Sequence, residues 1–184
     1  VLGWSGVDLF FVLSGFLITG ILVDAKGSPR FLQNFYIRRA LRIFPLYFTV
    51  LIAAVLAAAF VPAIRHWLGT EELWWQFLYA TNINVALYGW QAAGWFGHFW
   101  SLAIEEHYYL LWPLLVLLFP VRTLIRITIG VWLAVFLLRW VVLHLYHPTL
   151  ATYVLTPLRV DSLALGGCLA MLVRHPPARA WLAR

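Results

Sequence analysis

The sequence predicts an all-α membrane protein, a polytopic bundle of about five transmembrane helices, and three observations predict it. Of the 184 residues, 64% are hydrophobic and 11% charged, against about 45–50% and about 25% in soluble domains. With a mean hydropathy of +0.86, too few polar side chains remain to give every helix a water-facing side. Several stretches reach the roughly 20 apolar residues needed to cross a hydrocarbon core. The basic residues gather between those stretches with alternating density, the pattern of cytoplasmic loops.

Taken in order, Trp4 to Val23 holds one charge, Asp8, and Ile43 to Ile64 holds none. Phe99 to Phe119 is apolar after Tyr108 and carries Glu105, Glu106 and His107 in its first turns. Ile127 to Leu145 holds Arg139, and Tyr153 to Val173 holds Arg159 and Asp161. Leu73 to Gly97 is rich in Trp and Tyr, with Asn82, Asn84 and several glycines, which suits a helix or loop lying at the membrane interface. Lys26, Arg30, Arg38, Arg39 and Arg42 fall in 24–42, Arg65 alone in 65–97, Arg122 and Arg126 in 120–126, none in 146–152, and Arg174, Arg179 and Arg184 in 174–184. These numbers alternate cleanly only if 65–97 does not cross on balance, which puts 24–42, 120–126 and the C-terminal tail inside.

No internal repeat or long linker divides the chain. It opens on Val1 without the basic and small-residue pattern of a signal peptide, and both ends lie beside apolar stretches, so an internal section of a longer domain is expected. The single cysteine, Cys168, excludes a disulfide framework and a cysteine-based metal cluster. The net charge of +6 is clustered in a lipid protein, which points to cytoplasmic loops or phosphate sites and not to nucleic acid.

Four segments carry candidate chemistry. In FYIRRALRIFPLY, 35–47, Arg39 and Arg42 share a helical face at the inner membrane boundary. Arginine's planar fork of donors suits phosphate oxygens; juxtamembrane arginines also serve as lipid-headgroup anchors. Phe44 precedes Pro45 and is biased out of the helical region, marking a break between an interfacial helix and the span. In GWSGVDLFFVLSGFLITG, 3–20, an acid inside a span, Asp8, is a functional candidate. Ser5 and Asp8 also match a capping box, and Gly15 and Thr19 suit close helix packing.

In GHFWSLAIEEHYYLLWP, 97–113, helical spacing puts His98, Ser101, Glu105, Tyr109 and Trp112 on one stripe and turns Glu106 away. That offers a base, Glu105, with an orienting partner in His98; the alternative is a pair of solvated carboxylates at a helix end. His98 and His107 are nine apart with no H-E-x-x-H spacing, so no metal is expected. In TPLRVDSLALGG, 156–167, Arg159 and Asp161 are two apart and cannot face each other on a helix, so each needs a partner elsewhere, although Asp161 and Ser162 could cap a short helix after Pro157. Gly166 and Gly167 allow close backbone approach. His66, His144, His147 and His175 lie at span ends and take no role.

Together, GVDLFFVLSGFLI at 6–18, FYIRRALRIFPLYF at 35–48, HFWSLAIEEHYYLLWP at 98–113 and RVDSLALGG at 159–167 resemble the acyltransferase-3 family of integral-membrane acyltransferases, which O-acylate sugars of cell-surface polysaccharides and related molecules. The resemblance implies one partial membrane acyltransferase domain over 1–184 in a multi-pass protein of the bacterial inner (plasma) membrane. It implies transfer of an acyl group, usually acetyl, from acyl-CoA on the inner side to a hydroxyl of a carbohydrate or lipid-linked sugar, with acyl-CoA as co-substrate and no bound cofactor. The family's arginine pair handles acyl-CoA, and Arg39 and Arg42 match it. The family's catalytic histidine belongs to a span upstream of GVDLFFVLSGF, and no histidine here matches it, so the 184 residues alone are expected to be inactive. Asp8 and Glu105 could orient that histidine or hold acceptor hydroxyls, and no serine sits in a nucleophile-elbow pattern. The competing class is a transporter using Asp8, Glu105, Arg139, Arg159 and Asp161 as a proton or solute path, for which inverted repeats would be expected.

Overall fold

The structure is a computed structural model that describes residues 2–61, 73–146 and 150–174. Four long helices and one of medium length carry it: α1 (Leu2–Ala25), α2 (Phe31–Phe60), α5 (Trp100–Leu118), α6 (Val121–Tyr146) and α8 (Val160–Arg174). Between α2 and α5 lie α3 (Trp74–Phe77), α4 (Thr81–Tyr88) and a 3₁₀ turn, Gly94–Phe99; between α6 and α8 lie α7 (Leu150–Val154) and a 3₁₀ turn, Thr156–Leu158. Among the described residues there is no strand. Arg65, Arg179, Arg184, His66, His147 and His175 fall outside the described residues.

Among the described residues, three helices are long and apolar enough to cross a membrane: Ser5–Ala25, Phe31–Phe60 and Val121–Leu145. Of the two further expected spans, α5 is interrupted by Glu105, Glu106 and His107, and α8, at 15 residues, spans only about 22 Å at 1.5 Å per residue.

The expected break at Phe44–Pro45 does not occur, because α2 runs through Pro45 for 30 residues. Proline removes one ladder hydrogen bond, whereas ending a helix there would free several backbone groups that lipid cannot satisfy. The capping-box reading of Ser5 and Asp8 also fails: α1 begins at Leu2, so both residues lie inside the helix. Asp161 lies in the first turn of α8, where it is committed to an ion pair with Arg139.

Side-chain pairs set the helix directions. Asp8 with Arg159, Gly15 with Leu163 and Asp24 with Arg174 ascend together, so α1 and α8 are parallel. Ser14 with Tyr109, Thr19 with Trp112 and Lys26 with the Val116 carbonyl make α5 parallel to α1 as well. Tyr36 with Leu110, Arg39 with Glu106 and Tyr47 with Phe99 run α2 the opposite way. Residues 25–31, 118–121 and 174 therefore share one end of the bundle, and the C-terminal end of α2 and the start of α5 lie at the other. This is the parity that arginine density indicates.

Gly15 and Gly166 make the α1–α8 contact possible. A Cβ on Gly15 would collide with the Leu163 carbonyl, and one on Gly166 with the Val12 carbonyl, so the two backbones touch directly. The segment 73–99 departs from a purely interfacial element. Trp74, Tyr88 and Trp95 are exposed as an interface would have them, but Gln76, Thr81, Asn82 and Asn84 are buried. Irregular backbone needs protein partners where water is scarce, and here Tyr47 donates to the Gln76 carbonyl at 2.7 Å and Asn82 to Thr156 Oγ1 at 3.0 Å.

Candidate active site

A cavity of about 250 Å³ lies between the second half of α1 and the first half of α2. Ile18, Ile21, Leu22, Phe31 and Phe35 form its apolar walls, and Arg38, Arg39 and Arg42 contribute cations. Arg39 sits two turns into α2 and turns its side chain inward, toward α5. Its guanidinium carbon stands 3.8 Å from the centroid of the Tyr109 ring. Its Nε is 3.9 Å from Glu106 Oε1, too far for a hydrogen bond. Neither atom finds a hydrogen-bond partner among the described residues, although both are buried. Arg38 and Arg42 are exposed. A lipid anchor would have no reason to stack on a buried tyrosine of another helix.

Beside Arg39 lie the α5 carboxylates. Glu105 is 3% exposed; its Oε1 accepts from the Tyr109 hydroxyl at 2.8 Å, and that hydroxyl is itself hydrogen-bonded to Ser14 of α1. One turn on, the Trp112 indole donates to Thr19 Oγ1 at 2.8 Å. The stripe Glu105, Tyr109, Trp112 is thus buried against α1, whereas Glu106 faces Arg39.

The stripe does not extend to His98. That residue is exposed in the 3₁₀ turn, its ring against Phe99, and Ser101 reaches only its backbone carbonyl, at 3.3 Å. A 3₁₀ turn repeats every 3.0 residues and not every 3.6, so the helical phase read back from Glu105 fails before Trp100. His107 lies inside, its Nδ1 2.8 Å from Thr156 Oγ1. Among the described residues no group of three His, Cys, Asp or Glu could hold a metal ion.

Four of the charges expected within the membrane form two interhelical pairs. Arg159, buried, bonds Asp8 and lies over the Tyr153 ring at 4.7 Å. Arg139 bonds Asp161 at 2.9 Å and the Leu158 carbonyl at 2.6 Å. Arg159 and Asp161, unable to face each other, each find a partner on another helix, and four of the five intramembrane charges are committed in this way. Sequence reasoning missed the interhelical roles of four residues. Ser14 carried no signal beyond being a hydroxyl in an apolar helix. Lys26 donates to the Val116 and Phe119 carbonyls at 2.6 Å each, closing the end of α5. Asp24 and Arg174 form a two-bond pair at 2.8 and 2.9 Å that ties α1 to α8; charges at two span ends were its trace in the sequence.

The model of an acyltransferase-domain family matches residues 2–184. The chain is similar to a peptidoglycan O-acetyltransferase OatA of Listeria monocytogenes, 35% identical over 142 residues covering 70% of this chain and 23% of that protein. An O-acetyltransferase OatA of Staphylococcus aureus is 30% identical over 185 residues, covering 92% of this chain and 30% of that protein. An uncharacterized protein of Haemophilus influenzae is 34% identical over 186 residues, covering 90% and 74%. The chain therefore spans under a third of the length of these O-acetyltransferases. No solved structure matches.

Proposed function

The chain belongs to the acyltransferase-3 family, a multi-pass integral membrane protein, and from that footing we propose that the whole protein moves an acyl group, acetyl in the first instance, from acyl-CoA to a hydroxyl of a cell-surface carbohydrate at the bacterial plasma membrane. The relatives' names support an O-acetyl product. In this reading α5 and α8 join the three apolar helices as spans.

The observation that carries the donor is the arginine-lined cavity. Its walls suit an apolar arm and its cations an anionic headgroup; at about 250 Å³ it is below the roughly 300–1,000 Å³ of sites that enclose a whole ligand, so it takes one part of acyl-CoA. Arg42, exposed, holds phosphate oxygens. Arg39 stands between the donor and the carboxylates, and its buried, unmatched Nε–H fits an oxygen that gains charge during transfer.

Thioester attack by a hydroxyl needs a base for the proton and donors for the oxyanion. Glu105 is the base end of this site. Asp8 holds Arg159 and is a positioning residue. His98, exposed and turned from Glu105, has no geometric part, and the transporter reading loses ground because Asp8, Arg159, Asp161 and Arg139 are locked in pairs.

The test is acetyl transfer from labelled acetyl-CoA by the whole protein carrying Arg39→Lys and Arg42→Lys. Lysine keeps the charge and loses the fork, so a raised KM for acetyl-CoA is expected. Unchanged transfer at wild-type abundance would return the pair to lipid anchoring.

A further inference from the structure

One turn past the α1 wall of the cavity, the buried carboxylate Glu105 is linked through Tyr109 to a single serine hydroxyl. On α1, Ser14 is one helical turn beyond Ile18 on the face that lines the cavity through Ile18, Ile21, Leu22 and Ala25. On α2, Arg39 lines the same cavity and covers the Tyr109 ring. The Ser14–Tyr109 hydrogen bond adjoins the cavity through Ile18 and Arg39, one turn beyond the residues that line it.

The direction of that bond follows from proton counting. A phenol has one hydrogen. Tyr109 donates it to Glu105 Oε1, so its oxygen accepts, and the hydrogen between the two hydroxyls belongs to Ser14. The chain reads Ser14 O–H to Tyr109 O–H to Glu105 carboxylate: a half-buried serine hydroxyl aimed down a relay that ends in a buried base. A packing serine in an apolar helix would more simply bond the carbonyl one turn back.

We propose that Ser14 is a transient acyl carrier, taking the acyl group from the thioester before a carbohydrate hydroxyl takes it from Ser14; this rests on the acyl-CoA reading of the cavity. In the first half, Ser14 Oγ attacks the thioester carbonyl carbon. Its proton passes to the Tyr109 oxygen as the Tyr109 proton passes to Glu105. The new C–O bond forms, the C–S bond breaks, and the sulfur leaves as thiolate with both electrons of that bond. Arg39, with its unmatched Nε–H, faces the oxygen on which charge collects. In the second half, the acceptor hydroxyl attacks the serine ester. The Ser14 oxygen leaves and recovers a proton from Tyr109 as Glu105 returns the one it holds. The acceptor's own proton is released and balances the thiolate, so the net products are a sugar ester and a thiol. No oxidant or metal enters.

The experiment gives the whole protein in membranes labelled acetyl-CoA without carbohydrate acceptor, quenches in acid, and locates the acetyl mass by peptide mapping while thiol release is followed in the same samples. Wild type is expected to carry acetyl on Ser14. Ser14→Cys should carry a hydroxylamine-labile thioester at the same position. Ser14→Ala should lose the label and, at wild-type abundance, the transfer of acetyl to polysaccharide. Tyr109→Phe breaks the relay and should slow labelling by the roughly 10²–10⁴-fold typical of acid–base groups. Thiol release with no label on Ser14, label on another residue, or full transfer by Ser14→Ala would overturn the serine carrier and leave the acyl-CoA reading standing. If acetyl-CoA is neither bound nor consumed by wild type, that reading falls and the carrier with it.

Discussion

Replacing Glu105 and Glu106 separately by glutamine distinguishes a base from a neighbouring charge. Glu105→Gln keeps an oxygen able to accept from Tyr109, now at 2.8 Å, so the packing of α1 on α5 is preserved. An amide cannot take up the relayed proton, and the expected loss is about 10²–10⁴ in kcat, the contribution of a positioned acid–base group, equal to about 3–5 kcal/mol of barrier. Glu106 is different. Its Oε1 lies 3.9 Å from Arg39 Nε, which at an effective dielectric of about 20 is about 4 kcal/mol of gross attraction. The cost of dehydrating both charges offsets most of this. A net of about 1 kcal/mol remains, about fivefold, and it acts through the position of Arg39 on the KM for acyl-CoA. The assay is the initial rate of labelled acetyl transfer by the whole protein over a range of acetyl-CoA, with abundance checked by blotting. Equal losses at the two positions, a larger loss at Glu106, or a Glu105→Gln effect confined to KM would refute the assignment.

Three other perturbations probe the scaffold. Gly166→Ala places a methyl against the Val12 carbonyl and 2.8 Å from the Phe16 nitrogen; over-packing of this kind costs about 1–3 kcal/mol or more, and the detergent-solubilised protein should melt several degrees lower while Gly130→Ala, in open space, should not. Asp8→Ala strands the buried Arg159, and because Asp8 is 49% exposed the cost falls below the about 3–5 kcal/mol of a fully buried pair; Asp8→Ala with Arg159→Met should melt higher than Asp8→Ala alone, and additive losses would show the pair is not coupled. Cysteines at Ser28 and Thr70 in a Cys168→Ala background should label from opposite sides of the membrane, and labelling of both from one side would refute the topology read from arginine density.

The helix content, the membrane environment and the direction of each helix were legible in the sequence, because they depend on local and additive quantities: apolar run length, the lack of polar cover, the density of arginine between runs. Arg159 and Asp161 illustrate the reach of such reasoning. Their spacing of two forbids a mutual contact on a helix, and the partners turn out to be Asp8 and Arg139 on other helices. Gly15 and Gly166 were legible as contact points for the same reason, since only a missing Cβ lets two backbones meet.

What only the tertiary structure decided depends on phase and on partners far away in sequence. The stripe through Glu105 was right for Tyr109 and Trp112 and wrong for His98, because one 3₁₀ turn before Trp100 changes the rotation per residue. The break at Pro45 was a sound local preference overruled by lipid, in which one missing hydrogen bond is cheaper than a helix end. The contact of Arg39 with the Tyr109 ring, 70 positions away in sequence, likewise left no trace in the sequence. Ser14 could not be found from sequence at all: a hydroxyl in an apolar helix acquires a role only when a residue 95 positions away has already committed its own hydrogen to a buried carboxylate, and no periodicity records that commitment.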